Sequence, residues 1–109
     1  MKDKDCIFCK IIKKEIPAQI LFENENLIVI QDIKPAAPFH HLIIPKKHIK
    51  SIMDLEDIDK EITSELIFVA KEDAKKTGLK GYRLSFNVGR EGGQMIDHIH
   101  LHLMGGWFK

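Results

Sequence analysis

Between residues 97 and 103 the chain reads Asp97-His98-Ile99-His100-Leu101-His102-Leu103, and no other stretch restricts the possible folds so tightly. Three of the six histidines fall within five residues, alternating strictly with aliphatic side chains. A period of two belongs to a β-strand, whose successive side chains point to opposite faces. The pattern therefore predicts a strand with Ile99, Leu101 and Leu103 on a packed face and His98, His100 and His102 on the other. An ordinary half-buried strand is the plain alternative, but its polar positions draw Thr, Lys or Glu more readily than His. Imidazole is the side chain whose unperturbed pKa lies near neutrality, so three on one surface can act as nucleophile, acid and anion-binding cation.

Upstream runs Asn87-Val88-Gly89-Arg90-Glu91-Gly92-Gly93-Gln94. Gly92-Gly93 reads as a turn that brings backbone N–H groups close to a ligand, and the usual guest of such a nest is an anion. A histidine strand beside an amide-rich turn points to phosphate. Gly92-Gly93-Gln94 followed by His98-x-His100-x-His102-x-x-Gly105-Gly106 resembles the signature of the histidine triad (HIT) nucleotide-binding proteins, and most closely their purine nucleoside phosphoramidase (Hint-like) branch. The resemblance runs from Cys6 to Gly106.

Composition narrows the class. The 109 residues, 44% hydrophobic and 30% charged, fit one domain over residues 1–109. A net charge of +1 gives no general field for nucleic acid or membrane, so anion recognition must be local. Met1-Lys2-Asp3-Lys4-Asp5 is not followed by a signal-like apolar core, which makes the cytoplasm the expected location. Asp5 can cap a short helix over residues 6–13, and Pro17 stops anything longer. Strands are expected at 19–23, 27–33 and 40–48, the second nearly all aliphatic, as a strand buried on both faces would be. Helical spacing over residues 55–77, with Asp54 or Asp57 as cap and Gly78 as stop, predicts a long amphipathic helix. Residues 81–88 form a further strand. Together these give an α+β, HIT-like fold: a five-stranded antiparallel sheet with one long and one short helix.

Cys6-x-x-Cys9 lies on the short helix. A thioredoxin-type redox pair would follow a strand, and nothing precedes this one; two reduced thiols are the other simple reading. The resemblance implies a structural zinc held by Cys6, Cys9, His48 and His98, a standard tetrahedral donor set, with no catalytic metal. His98 then leaves the chemistry to its neighbours. Of His40 and His41, strand alternation lets only one share the site face. The resemblance makes His40 the auxiliary active-site histidine and leaves His41 incidental. Asp32 is either a turn former before Lys34-Pro35 or a bidentate acceptor for a ribose diol, the role the resemblance implies. The resemblance likewise implies a base pocket from Ile7, Phe8, Ile11, Ile16, Ile30, Ile33 and Leu42, and a ribose or phosphate contact from Asn87.

The implied reaction is attack of His100 on the α-phosphorus of a nucleoside 5′-phosphoramidate, giving a nucleotidyl-histidine that water hydrolyses. His102 and the amides of Gly93, Gln94 and Met95 would hold the non-bridging oxygens, with His40 in support. A purine nucleotide of AMP or GMP type is the implied ligand, and a homodimer with a ten-stranded sheet the implied assembly. Two departures stand out. The branch usually has Ser where this chain has Met95, which cannot donate a strong hydrogen bond, and the tail Trp107-Phe108-Lys109 is short. The rival readings are a dinucleoside polyphosphate hydrolase and a nucleotide-binding module with little turnover. A metal held by all three triad histidines is disfavoured, because same-face neighbours on a strand lie roughly 7 Å apart.

Overall fold

The computed structural model describes residues 5–108; Met1 to Lys4 and Lys109 lie outside the described residues. In chain order the elements are α1 (Ile7–Ile12), β1 (Ile20–Glu23), β2 (Leu27–Gln31), β3 (Phe39–Pro45), α2 (Lys60–Lys76), β4 (Arg83–Ser85) and β5 (Leu101–Gly105). The five strands form one antiparallel sheet in the order β1-β2-β3-β5-β4.

Strand β2 is buried on both faces, as its aliphatic run requires. Leu27 and Val29 join Ile43, Leu101, Leu103 and the α2 residues Leu66, Ala70 and Ala74 in one core. Ile28 and Ile30 join Leu42, Ile44 and the α1 residues Phe8 and Ile11 in the other. The sheet is thus covered by α2 on one side and by α1 on part of the other. Burying one Leu or Ile side chain contributes about 1.5–3 kcal/mol, so both layers are needed for a domain of this size.

Ile99, Leu101 and Leu103 do face the α2 core. Only His102 of the triad lies in a paired strand, however, because β5 begins at Leu101. His98 sits in a bend, its N–H bonded to Ile96 O at 2.9 Å, and Ile99 N–H bonds to Ile49 O at 2.8 Å, outside the sheet. The two-faced alternation survives without the full ladder, since His98 is drawn into the cysteine cluster described below.

Other boundaries move for local reasons. Cys6, not Asp5, caps α1, its Sγ accepting Cys9 N–H at 3.5 Å. The long helix starts at Lys60 rather than 55, because two 3₁₀ turns, Ile52–Asp54 and Asp57–Asp59, precede it. Neither Asp54 nor Asp57 caps it: Asp54 accepts from Ser51 Oγ at 2.8 Å, and the buried Asp59 stands at the N-cap, accepting Glu56 N–H at 3.0 Å. Gly78, at φ +80°, ends α2 as expected. Strand β2 stops at Gln31 because Asp32 Oδ1 accepts Lys34 N–H at 2.9 Å and turns the chain. Strand β3 covers 39–45 rather than 40–48, and β4 only Arg83–Ser85.

Candidate functional site

The register of β3, β5 and β4 sets the site. Leu42 lies opposite His102 and His40 opposite Met104 across β3 and β5, while Ser85 lies opposite His102 across β4 and β5. Paired residues share a face, so His40, His102, Met104, Ser85 and Arg83 stand on the side of the sheet away from α2. His41 points the other way, where its Nδ1 meets Asp73 Oδ2 of α2 at 2.6 Å and its ring lies 4.1 Å from that of Phe39.

Backbone groups fix the tautomers. Ala36 N–H donates to His40 Nδ1 at 2.9 Å, so the proton of the neutral ring resides on Nε2. That Nε2 lies 2.8 Å from His102 Nδ1, which must accept, leaving the His102 Nε2–H directed away from His40. Asp32 Oδ2 stands 3.5 Å from His40 Nε2, and the Asn87 amide group 3.5 Å from His102 Nε2. His100 is held differently. Its Nδ1 lies 2.7 Å from the His98 carbonyl oxygen, which can only accept, so Nδ1 is protonated and Nε2 keeps its lone pair.

Burial pushes the His100 pKa down, against the upward pull of the His98 carbonyl and of Asp32. Burial, then His100 and His40, lowers His102 to about 4. His40 is lowered by burial, with Asp32 opposing. All three rings are neutral at pH 7. A neutral ring with one lone pair exposed and the opposite nitrogen hydrogen-bonded is a competent nucleophile toward phosphorus.

Behind His100 the Cys6, Cys9, His48 and His98 donor atoms all lie within 4.8 Å of one another. Their fit to zinc can be tested by geometry. A tetrahedron with Zn–S of about 2.3 Å and Zn–N of about 2.0–2.1 Å has S···N edges of about 3.6 Å and an N···N edge of about 3.3 Å. The observed S···N distances are 3.3 Å for Cys6–His98, 3.3 Å for Cys9–His48 and 3.6 Å for Cys9–His98; the two Nδ1 atoms are 3.1 Å apart. His98 Nε2–H donates to Pro45 O at 2.8 Å, so in the neutral ring Nδ1 is the unprotonated nitrogen, the one facing the other three donors. The cluster can form a zinc site. Asp32, His40 and His102 also offer donor atoms within 4.8 Å of one another. There the Ala36 N–H keeps the His40 proton on Nε2, the nitrogen a metal would need, so this group is built as a hydrogen-bond relay.

Burial divides the expected base pocket. Phe8, Ile11, Ile30 and Leu42 are buried and form a floor, with the Phe8 ring 5.1 Å from that of His100. Ile7 is 42% and Ile33 89% exposed. Ile16 is partly buried against the same core.

The glycine turn is more self-contained than its sequence implies. Gly92 and Gln94 N–H both bond to Gly89 O, at 3.1 and 2.9 Å, and Gly93 N–H bonds to Arg90 O at 3.0 Å. These amides are engaged within the loop, so the expectation that Gly93 and Gln94 offer free amides to an anion is corrected. Gln94 is buried, its Oε1 accepting from Gly89 N–H and its Nε2 donating to Lys50 O and Ile96 O; it braces the loop. The glycines serve backbone geometry, with φ +70° at Gly89 and +85° at Gly93. Met95 is 79% exposed, at the open side of the turn. Ser85 and Arg83 share the His102 face, and the alternation Arg83-Leu84-Ser85-Phe86-Asn87 carries the same period-two signal as the histidine run.

The chain matches the family described as "Scavenger mRNA decapping enzyme C-term binding" over residues 5–109. Protein HitA of Neisseria gonorrhoeae is 41% identical over 102 residues, covering 93% of this chain and 95% of HitA. The crystal structure of a HIT family hydrolase from Legionella pneumophila Philadelphia 1 is similar at 51% identity and a TM-score of 0.92, with 95% of each chain covered. A zinc-bound histidine triad family protein from Mycobacterium smegmatis is similar at 31% identity and a TM-score of 0.82, over 94% of this chain and 76% of that one. Among the described residues no helix is long and apolar enough to cross a membrane.

Proposed function

The chain belongs to the histidine triad (HIT) family, and from that premise we propose that it is a nucleotidyl hydrolase, a single HIT domain cleaving purine nucleoside 5′-phosphoramidates such as adenosine 5′-phosphoramidate. The observation that carries this reading is the 2.7 Å bond from His100 Nδ1–H to the His98 carbonyl, which presents the Nε2 lone pair of a neutral ring. His100 Nε2 attacks the α-phosphorus; the bond from phosphorus to the leaving nitrogen breaks, and the nitrogen takes the electron pair and a proton from water. A second water then attacks phosphorus and gives its proton to the hydroxide left by the first step, the P–Nε2 bond breaks with its electron pair returning to Nε2, and the nucleoside monophosphate leaves with His100 neutral again. His102 Nε2–H donates to a non-bridging oxygen, supported through Nδ1 by His40, and Met95 N–H adds a main-chain donor. Asp32 receives the ribose hydroxyls, Asn87 the ribose or phosphate, and the purine packs between Ile7 and Ile33 over Phe8, Ile11 and Leu42.

Cys6, Cys9, His48 and His98 hold zinc, which ties α1 to the segment carrying His100 and supplies structure rather than chemistry. Thiolates in that role fit a reducing compartment such as the cytoplasm. The outer edge of β4 is the natural seam for a homodimer, two copies joining their sheets there. Hydrolysis of a dinucleoside polyphosphate is the second reading, favoured by Met95: a phosphate leaving group departs without a proton, which this side chain cannot give. The test is AMP release from adenosine 5′-phosphoramidate by the wild type beside His100→Ala. Turnover by the wild type alone supports the reading; turnover retained by His100→Ala refutes it.

A further inference from the structure

The loop from Gly89 to Asp97 stands beside the reactive histidines. Gly93 lies against Asn87: a Cβ built on it would meet the Asn87 amide nitrogen at 4.0 Å, and that amide is 3.5 Å from His102 Nε2. Ile96 packs on the cluster of Phe8, Ile11 and Leu42, whose Phe8 ring adjoins His100. Met95, between the two, therefore borders the space in front of His102 and His100. The amides of Gly92, Gly93 and Gln94 bond back to Gly89 O and Arg90 O, whereas the Met95 N–H has no such partner among the described residues.

A peptide plane sets the direction of that N–H. In a trans peptide the C=O and N–H point opposite ways, so the Gln94 carbonyl decides where the Met95 N–H points. The residues on either side are anchored: Gln94 by its side-chain bonds to Gly89 N–H, Lys50 O and Ile96 O, and Ile96 also by accepting His98 N–H. The plane between them keeps the freedom of ψ at Gln94 and φ at Met95. The Arg90 guanidinium holds it. Arg90 Nη1 donates to the Gln94 carbonyl oxygen, and the same nitrogen lies 3.0 Å from Asp97 Oδ1.

The Arg90 side chain is 59% exposed and that of Asp97 17%, and an ion pair this open to water adds little to stability. Neither residue is part of the Gly92-Gly93-Gln94 or histidine motif. We propose that Arg90, braced by Asp97, is a positioning residue that aims the Met95 N–H at the non-bridging oxygens of the nucleotide's α-phosphate. The charge-assisted bond to the Gln94 carbonyl fixes the plane and polarises the peptide, which makes its N–H a stronger donor. Asp97 neutralises the guanidinium, so Arg90 acts through the peptide and not as a free cation drawing in substrate. The donor gains most as negative charge gathers on those oxygens during attack by His100, so the effect falls on kcat rather than on KM. This clamp rests on the nucleotidyl-hydrolase reading above.

The experiment measures kcat and KM for adenosine 5′-phosphoramidate in the wild type, Arg90→Gln, Arg90→Lys and Asp97→Asn, each checked for zinc content and Tm. Losing an oxyanion donor outright slows an enzyme about 10²–10³-fold, so misdirecting one in Arg90→Gln should lower kcat about tenfold with KM within about twofold. Arg90→Lys keeps a charged donor and should be intermediate, and Asp97→Asn should lower kcat in the same direction. A free cation drawing in substrate predicts the opposite for Asp97→Asn, a lower KM with kcat kept, and that result overturns the proposal. So does an Arg90→Gln kcat equal to the wild type's, or a loss of kcat that tracks lost zinc or a large drop in Tm. Amide NMR of isotope-labelled protein titrated with AMP keeps the test independent of turnover. The Met95 amide proton should move downfield as it meets the phosphate, and Arg90→Gln should lose most of that shift; equal shifts in both proteins overturn the clamp. Failure of the wild type to release AMP, with the shift lost in Arg90→Gln, rejects the hydrolase reading and leaves the clamp standing.

Discussion

His41 reads in the sequence as a histidine in an apolar place with nothing to do, yet its Nδ1 lies 2.6 Å from Asp73 Oδ2, with both side chains nearly buried between β3 and α2 at 11% and 13% exposure. A hydrogen bond to a charged group contributes about 1.5–3 kcal/mol, and removing one partner also leaves the other desolvated and unpaired. Breaking a fully buried pair costs about 3–5 kcal/mol; since this pair retains slight access to water, Asp73→Leu should cost about 2–3 kcal/mol. In a domain of this size each kcal/mol moves the Tm by about 4–8 °C, so the variant should melt at least 8 °C below the wild type. The double variant His41→Leu/Asp73→Leu removes both polar groups and should recover most of the loss, leaving a coupling energy of about 1.5–2 kcal/mol in a double-mutant cycle. Urea unfolding at pH 7 reads all four corners of the cycle. Additive losses, with coupling below about 0.5 kcal/mol, would refute the view that this pair ties the helix to the sheet behind the site.

Other expectations follow from the same geometry. Tag-free protein should carry close to one zinc per chain, and Cys6→Ser should lose the metal and lower the Tm; full zinc in that variant refutes the four-ligand site. His102 has its pKa near 4 in the folded chain against the usual 6.5, so between those values the unfolded chain binds the proton. Its contribution to stability is therefore complete above about pH 6.5 and is lost as pH falls toward 4, and urea midpoints that stay flat over that window contradict the neutral assignment. Met95→Ser restores a hydroxyl at the open side of the glycine turn and should raise kcat several-fold on amine leaving groups but not on phosphate ones. An equal change on both classes removes leaving-group protonation as the reason.

Period-two alternation made most of this arrangement legible. It separates Ile99, Leu101 and Leu103 from the histidines, Leu27 and Val29 from Ile28 and Ile30, and His40 from His41, and the two cores follow from those separations. The four-residue metal cluster was legible only through the family resemblance, which names His48 and His98 as partners of Cys6-x-x-Cys9; the structure brings all four together. Backbone groups were the part hidden from the sequence. The His98 carbonyl and the Ala36 N–H set the tautomers of His100 and His40, and no side-chain pattern records where a peptide group points. The glycine turn misled for a related reason: Gly92-Gly93 signals unusual backbone geometry, but whether the amides face a ligand or the loop's own carbonyls depends on how Gln94 and Arg90 close it. Helix caps shifted because Asp59, Asp54 and Asp57 are equivalent as letters, and tertiary contacts such as the 2.6 Å bond from Lys47 Nζ to Asp59 chose among them.

The most direct test of the account is intact-mass analysis of the protein acid- or denaturant-quenched during turnover of adenosine 5′-phosphoramidate, with peptide mapping of any adduct. The account predicts an adenylyl group on His100, present in the wild type during turnover and missing from His100→Ala. AMP release at full rate with no adduct at any quench time, or an adduct mapped to His102 or His40, would contradict it.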